Sequence, residues 1–453
     1  MAPKRLHGAH VPHHKNTVDC EPKRMPTPAV ITVPMNMNIG APAKPVVKAG
    51  DLVKVGQLIA EADGFVSSPI YSGVSGKVKK IDEMLSFNGK YTTAIVIESD
   101  GLQEVVEGLE PHEVIGPVGF LALVRDSGVV GLGGAGFPTA VKLSVGEKPV
   151  DTIIINGAEC EPFITTDNRT MLDEAETLIE GIKILQKHLS CERCIIGVED
   201  NKPRAIAHLK EVIGDDTTIE VHALPALYPQ GAEKVMIYHT IGRVVPEGKL
   251  PIDVGAVVMN VTSVVAVTKY IKTGMPLVEK CVTVDGSAIA NPMNVIAPIG
   301  TPIKDIIEFT GGFKSEPRKV VLGGPMMGMA APDLDTPIQK NTSAVLVFDE
   351  KDATLPETTA CIKCGRCIAT CPLNLMPAHI ETAYKLGKGE ELAELKVNLC
   401  MECGCCAFVC PAKRPLVQVN KLAKGMLWDY NAKLKAEAEK KKAKEAEKEE
   451  VKA

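Results

Sequence analysis

The sequence predicts a multidomain α/β protein. Three observations carry that: glycine-punctuated short strands up to about residue 98, alternating strands and helices after it, and nine of the fourteen cysteines crowded between Cys361 and Cys410. A chain of 453 residues with 45% hydrophobic content exceeds what a single core organises, so several domains are expected. The net charge of −5 leaves no global footprint for nucleic acid or an anionic membrane. The amino terminus lacks the apolar stretch of an export signal. The most apolar longer run, Val254 to Val267, is interrupted by Asn260, Thr262 and Ser263 and falls short of the roughly 18 residues that span a bilayer. No export and no transmembrane segment are expected. Cysteine abundance in a large chain without a signal points to metal or redox chemistry rather than disulfides.

Taken in order, residues 1–44 read as a polar N-terminal arm. Its His7, His10, His13 and His14 with Cys20 lack the fixed pairing of a metal site, so a loose arm is expected. Residues 45–98, with Gly50, Gly56, Gly64, Gly73 and Gly76 separating short apolar runs, form a compact β module. That stretch resembles the barrel-sandwich fold of lipoyl and biotinyl carriers. Its tip, Phe65 to Ser68, has no lysine for a prosthetic group, which leaves a structural docking role.

Residues 99–275 alternate. Strands are expected at Thr152 to Ile155, Cys194 to Val198 and Ile219 to Ala223, with helices at Thr170 to Leu189 and near Arg204 to Val212, the pattern of a doubly wound α/β domain. Cys191 and Cys194 in that domain read as a structural thiol pair. Residues 276–348 return to short strands around a helix at Pro302 to Phe309 and the turn Gly311-Gly312, which fits a small β-grasp domain. A cysteine-rich helical domain at 349–425 follows, and then a tail at 426–453 of Lys, Glu and Ala with an apolar patch at Met426, Leu427, Trp428 and Tyr430. The tail is expected to be a solvated helix rather than a docking or membrane-surface helix.

Cys361, Cys364, Cys367 and Cys371 with Pro372 spell C-x2-C-x2-C-x3-C-P, and Cys400, Cys403, Cys406 and Cys410 with Pro411 repeat it. Two-cluster ferredoxins use this run, the fourth cysteine of each copy ligating the other cluster. The assignment therefore crosses over. Cys361, Cys364, Cys367 and Cys410 hold one 4Fe-4S cluster, and Cys400, Cys403, Cys406 and Cys371 hold the other. Zinc also takes paired C-x2-C ligands, but one site needs only four thiolates and would leave half of these unused. Cys405 lies outside the spacing and is read as a spectator, while the amides of Gly365 and Gly404 are positioned to tune the sulfurs.

Gly131-Leu132-Gly133-Gly134-Ala135-Gly136 matches G-x-G-x-x-G, a weak signal alone, because no clear strand precedes it and Phe137-Pro138 interrupts the following helix. The strand after it ends in Asn156-Gly157-Ala158-Glu159-Cys160-Glu161-Pro162, polar groups at the carboxyl end of a parallel strand, where open α/β sheets bind ligands. Tyr228 to Lys234 opens a further helix nearby. Gly131 to Lys142 resembles the flavin mononucleotide (FMN) loop of the NADH-oxidising subunit of respiratory complex I, and Asn156 to Pro162 resembles its partner segment. The order of modules (barrel sandwich, flavin domain, an SLBB-like β-grasp domain, paired ferredoxin motifs) resembles the RnfC family, peripheral subunits of the Rnf ion-translocating ferredoxin:NAD oxidoreductase, over nearly the whole chain.

The resemblance implies that Gly131, Gly133, Gly134, Gly136 and Lys142 hold non-covalent FMN, with Asn156 and Glu159 around its ribityl and ring edge and Asn260 among the cofactor-binding residues. Phe137, Glu161 and Glu233 would face NAD(H). The complex I pattern has arginine at the position of Leu132, aspartate at Ala158 and glutamate at Ala232. No side chain acting as a catalytic acid or base is implied. The family's place is peripheral, on the cytoplasmic face of the membrane, with membrane and iron-sulfur subunits as partners and ion translocation elsewhere in the complex. The chemistry agrees: a nicotinamide moves two electrons as hydride and a cluster moves one, so a flavin must stand between. Two rivals share parts of this pattern, a soluble cobalamin reductase of the microcompartment type and a non-catalytic iron-sulfur relay whose flavin site is vestigial.

Overall fold

A computed structural model of the chain describes residues 6–86 and 89–450, with side chains through Lys442. The first five positions of the expected arm and the last three of the expected tail lie outside the described residues. Two units are formed. One holds residues 11–226 and 230–354; the other holds residues 227–229, those from 355 onward and an N-terminal piece ending at His10.

In the first unit, strand Val30–Pro34 pairs antiparallel with Tyr91–Ser99, which pairs with Gly76–Leu85 and then Leu52–Val53. A three-stranded sheet of Lys44–Pro45, Leu58–Glu61 and Ile70–Tyr71 completes the module, and Ile31, Val33, Val78, Ile95 and Ile97 fill its core. The alternation in Val30–Pro34 needs the 91–99 strand as its partner, so the module begins before residue 45. The arm is not loose. Lys23–Arg24 adds a parallel strand to the β-grasp sheet, and the His14 ring stacks on Phe163 at 4.9 Å. At the module's lysine-free tip, the buried ammonium of Lys340 donates to Ser68 Oγ at 3.0 Å, to the Pro69 carbonyl at 2.6 Å and to the Gly128 carbonyl at 2.7 Å. Three acceptors match its three N–H groups, although burial pushes its pKa down to about 7.

The α/β domain is built on a four-stranded parallel sheet in the order Ile219–Leu224, Cys194–Glu199, Thr152–Gly157, Ala256–Asn260. Helices Ala175–Leu189, Pro203–Ile213 and Val261–Thr273 pack on the face carrying Ile153, Ile155 and Ile196; Glu233–Ile241 packs on the other, against Ile154 and Val258. The helix expected at Thr170 to Leu189 is two helices, Thr166–Asp173 and Ala175–Leu189, because Glu174 leaves helical geometry at φ −129°, ψ 24°. The run from Val254 to Val267 divides into strand Ala256–Asn260 and helix Val261–Thr273. Asn260 makes that corner, its side-chain oxygen accepting the amides of Thr262 and Ser263 as a helix N-cap.

The β-grasp region is a six-stranded sheet in the order Lys23–Arg24, Met293–Pro298, Glu279–Asp285, Ala344–Phe348, Lys319–Leu322, Met329–Ala330, with helix Ile303–Phe309 packed on it.

In the second unit, short helices Arg366–Ala369 and Cys405–Phe408 each follow a glycine in left-handed conformation, and helices Pro377–Lys385 and Leu416–Glu450 lead away from them. The expected apolar patch of the tail is mostly core: Leu427 is buried and Met426 and Tyr430 pack beside it against Ile380 and Leu392, leaving Trp428 72% exposed. Among the described residues, no helix is long and apolar enough to cross a membrane.

Candidate functional site

The sheet order fixes where a ligand can lie. From Thr152–Gly157 the chain steps outward to Cys194–Glu199 and Ile219–Leu224, then returns to add Ala256–Asn260 on the opposite side. The order reverses between those two strands, and crevices form at the carboxyl ends beside such a switch point. Asn156 and Asn260 are register partners there. The glycine loop lies over them, for a Cβ on Gly133 would stand 2.4 Å from Asn260 Nδ2. Only a glycine permits that approach.

The loop is closed on itself rather than opening a long helix. The Gly131 amide donates to the Phe137 carbonyl at 2.9 Å, Val130 bridges Pro138, and the helix that follows, Thr139–Leu143, has five residues. Pro138 ends the loop and leaves too short a helix for a substantial dipole, in keeping with the interruption that Phe137-Pro138 makes in the motif. Gly133, Gly134 and Ala135 present their outer face to solvent, and a Cβ at Gly134 would meet nothing within 4 Å. Gly136 and Leu132 turn inward, Leu132 donating its amide to Ser263 Oγ at 3.0 Å.

A network of polar side chains joins the loop to the sheet. Asn260 Nδ2 donates to Asp167 Oδ2 at 2.8 Å, Thr262 Oγ1 donates to Asp167 Oδ1 at 2.7 Å, and the Asp167 amide donates to Glu159 Oε1 at 2.6 Å. Asn156 Nδ2 donates to the Gly231 carbonyl at 2.8 Å, and its oxygen accepts the Ala158 amide. Asn156 and Asn260 are thus engaged with protein partners at the switch point. Glu159 Oε2 differs: it is buried and has no hydrogen-bond partner.

The residues expected to face NAD(H) have partners within the protein. Glu161 accepts the amides of Met326 at 3.0 Å and Met327 at 2.8 Å, which anchors a β-grasp turn. Glu233 accepts from Lys142 Nζ at 2.6 Å, and Lys142 also donates to the Val258 carbonyl at 3.1 Å. Phe137 contributes the carbonyl that closes the glycine loop.

Burial pushes Glu159 up to about 7; Lys15 and Lys202 pull it down, and Asp167 pushes it further up. Lys15 and Lys280 are held below the usual lysine range by burial, against the pull of Glu159 on each of them. Lys202 Nζ donates to the Ala158 carbonyl at 2.6 Å and to buried Glu199 at 3.0 Å. Lys280 Nζ reaches the Leu132 carbonyl at 3.3 Å. Three ammoniums, Lys15, Lys202 and Lys280, therefore face three carboxylates, Glu159, Asp167 and Glu199. Sequence reasoning passed over most of these because a lone lysine carries no motif.

In the second unit a cavity is lined by five cysteines, Cys371, Cys400, Cys403, Cys405 and Cys406. Apart from Cys405, these are three cysteines of the second run and the fourth of the first, the set that the spacing expects to share a cluster. Cys367 packs with Cys410, and Arg414 stands near both Cys361 and Cys410. Leu375 donates its amide to Cys371 Sγ at 3.4 Å and Asn420 Nδ2 donates to Cys400 Sγ at 3.5 Å. Cys405 is buried, its thiol directed at the Tyr228 carbonyl, and the Tyr228 hydroxyl donates to the Cys403 carbonyl at 2.7 Å. Among the described residues no three His, Cys, Asp or Glu side chains converge on a point suited to a single metal ion. A cavity lined by several thiols is chemically suited to a 4Fe-4S cluster. The unpartnered Glu159 oxygen and the open face of Gly133–Ala135 fit a flavin at the switch point in the same sense.

Comparison with known proteins agrees module by module. Residues 4–102 match the family model of the RnfC barrel sandwich hybrid domain, 124–269 that of the Nuo51 FMN-binding domain, 281–330 that of the SLBB domain and 360–413 that of the 4Fe-4S dicluster domain. Over 359 residues, the chain is 45% identical to the C component of the proton-translocating ferredoxin:NAD(+) oxidoreductase complex of Clostridium ljungdahlii, covering 78% of each chain. It is 42% identical over 378 residues to the C component of the Na(+)-translocating ferredoxin:NAD(+) oxidoreductase complex of Acetobacterium woodii, covering 82% of this chain and 85% of that one. The C component of the ion-translocating oxidoreductase complex of Rhodobacter capsulatus is 39% identical over 430 residues, 93% of this chain and 82% of that one.

Proposed function

The chain belongs to the RnfC family of ion-translocating ferredoxin:NAD(+) oxidoreductase complexes, and on that premise we propose that it passes electrons between NAD(H), FMN and two 4Fe-4S clusters as a peripheral subunit on the cytoplasmic face of the membrane. The observation that carries the reading is the placement of a glycine loop and a buried carboxylate oxygen without a hydrogen-bond partner at the switch point of a parallel sheet, in the same chain as a cavity that gathers cysteines of both cluster-binding runs. FMN supplies the exchange between a two-electron hydride carrier and one-electron clusters.

The chain's own residues bind, orient and tune. Gly131, Gly133, Gly134 and Gly136 let the loop backbone approach the cofactor, and Glu159 with Asp167 sets the charge of the pocket wall. Lys142 and Glu233, paired with each other, form a polar rim that can exchange partners when a dinucleotide arrives. Cys361, Cys364, Cys367 and Cys410 ligate one cluster; Cys371, Cys400, Cys403 and Cys406 ligate the other. Relatives at 45% and 42% identity are named for different ions, so likeness at this level does not assign the coupling ion. Their shared name favours a partner complex in the membrane over a corrinoid acceptor.

Metal and flavin content of the anaerobically purified chain tests the reading. About eight irons and about one FMN per chain are expected, with the flavin absorbance bleached by NADH. Zinc in place of iron, or a flavin indifferent to NADH, overturns it.

A further inference from the structure

The segment after strand Thr152–Gly157 bends sharply, and two non-glycine residues in it, Glu159 at φ 49° and Phe163 at φ 71°, adopt the left-handed region. Such a residue carries backbone strain and persists only where its surroundings over-determine it. Here the bend turns the carbonyls of Glu159, Glu161 and Ile164 toward one point. Carbonyl dipoles aimed together need a donor there.

Lys15 provides it. Its ammonium donates to the carbonyls of Glu159 and Glu161, each at 2.9 Å, and to that of Ile164. The lysine comes from the N-terminal arm, 144 residues away in sequence from Glu159. The arm is itself pinned on either side. The Phe163 amide donates to the His13 carbonyl at 2.9 Å, Thr17 Oγ1 meets Thr165 Oγ1 at 2.6 Å, and Asn294 Nδ2 donates to the carbonyls of Thr17 and Cys20. The Lys15 side chain is 15% exposed and lies 4.0 Å from Glu159 Oε2, the carboxylate oxygen without a hydrogen-bond partner.

We propose that Lys15 is a positioning residue of the flavin site, its ammonium both holding the 159–164 bend in shape and setting the charge of Glu159 from the open side of that carboxylate. The proposal rests on the reading of Glu159 as a flavin-site residue. The groups facing Glu159 come from every element around it. Lys15 is on the arm, Asp167 on the following helix, Lys202 and Glu199 at the end of the neighbouring strand, Lys280 and Cys281 on the β-grasp strand, and Cys160 on its own bend. Lys15 is the strongest of the charges drawing Glu159 toward ionisation. Without it, Glu159 keeps its proton to higher pH.

The test is infrared titration of the full anaerobic chain, the Glu159 carboxyl band being identified by its loss in Glu159→Gln. In Lys15→Gln, which keeps hydrogen-bond donors but no charge, the midpoint of that band rises by about one pH unit or more, a tenfold change in proton affinity. In Lys15→Arg, which keeps the charge, it stays near the native midpoint. Iron content of each variant reports folding of the rest of the chain. A native midpoint in Lys15→Gln, or one in Lys15→Arg as high as in Lys15→Gln, overturns the proposal. Flavin is measured on the same native sample. Its absence there defeats the flavin reading, while the carboxyl titration still decides the Lys15–Glu159 coupling.

Discussion

The two cysteine copies have the same backbone and different surroundings. The second copy begins 39 residues after the first, Cys400 against Cys361, and the offset holds for the left-handed residues: Lys363 and Glu402, Gly365 and Gly404, Asn374 and Lys413. It holds again for the helices starting at Arg366 and Cys405 and at Pro377 and Leu416. Around this shared path the environments diverge. Cys361 and Cys364 are exposed, whereas Cys403 and Cys406 are buried; exposed Arg366 has buried Cys405 as its counterpart. Glu381, ion-paired with Arg414 and Lys385, corresponds to Asn420, which donates to Cys400 Sγ. Spacing decides that each copy wraps a cubane, and burial and hydrogen bonding decide what potential that cubane has.

The comparison is broken most directly at the ligands. Cys364→Ser and Cys403→Ser are each expected to lose about four irons per chain. Only the second, at a buried cysteine, should also lower the melting temperature of the cluster unit markedly, as read by iron assay and calorimetry. Equal melting would mean that the difference in burial has no consequence for stability.

The ion pair of the first copy comes next. Arg414→Met leaves Glu381 buried with Lys385 alone and is expected to cost about 2–3 kcal/mol in denaturant unfolding. Burial pushes Glu381 up, but Arg414 and Lys385 pull it down further, so its folded pKa lies below the ordinary carboxylate value. The folded state then binds fewer protons, so the pair's stabilisation is present above the unfolded pKa and is lost as pH falls through the folded one. Native protein should lose this margin on acidification, and Arg414→Met should show a flatter acid limb.

Asn420→Leu removes an N–H donor from the second copy alone. A donor to a thiolate favours the more negative, reduced cluster, so its loss is expected to lower that cluster's midpoint potential by about 20–60 mV, leaving the other unchanged in a redox titration followed by electron paramagnetic resonance. Movement of both potentials would show that the two environments are not separable. The smallest effect is expected from Tyr228→Phe, which deletes the bond to the Cys403 carbonyl and should cost about 1 kcal/mol in the cluster unit with no change in iron content.

Much of this was legible in the sequence because it is local. The C-x2-C-x2-C-x3-C-P runs name the cluster chemistry, short apolar runs mark three of the four parallel strands of the α/β domain and helical patterning marks several of its helices, and Asn156 to Pro162 mark the carboxyl end of a strand. Errors fell where a residue's fate depends on a distant partner. The arm read as loose because nothing in His13-His14-Lys15 reveals the strained bend it meets, and the patch at Met426 to Tyr430 read as surface because Ile380 and Leu392 approach from elsewhere. Nor do Glu161 and Glu233 show in the sequence the partners they have in the fold, the amides of Met326 and Met327 and the Lys142 ammonium.

Read alone, the order of residues establishes which atoms are available for chemistry: eight thiols in two repeated runs, a glycine loop, a strand ending in carboxylates. Folding in three dimensions settles which thiols share a cavity, which carboxylate keeps an oxygen without a hydrogen-bond partner, and that an ammonium from the arm stands beside it. The difference is one of range. Spacing along a chain dictates dihedrals and the reach of neighbouring side chains, whereas desolvation and charge act through space and exist only once distant segments have excluded water from one another.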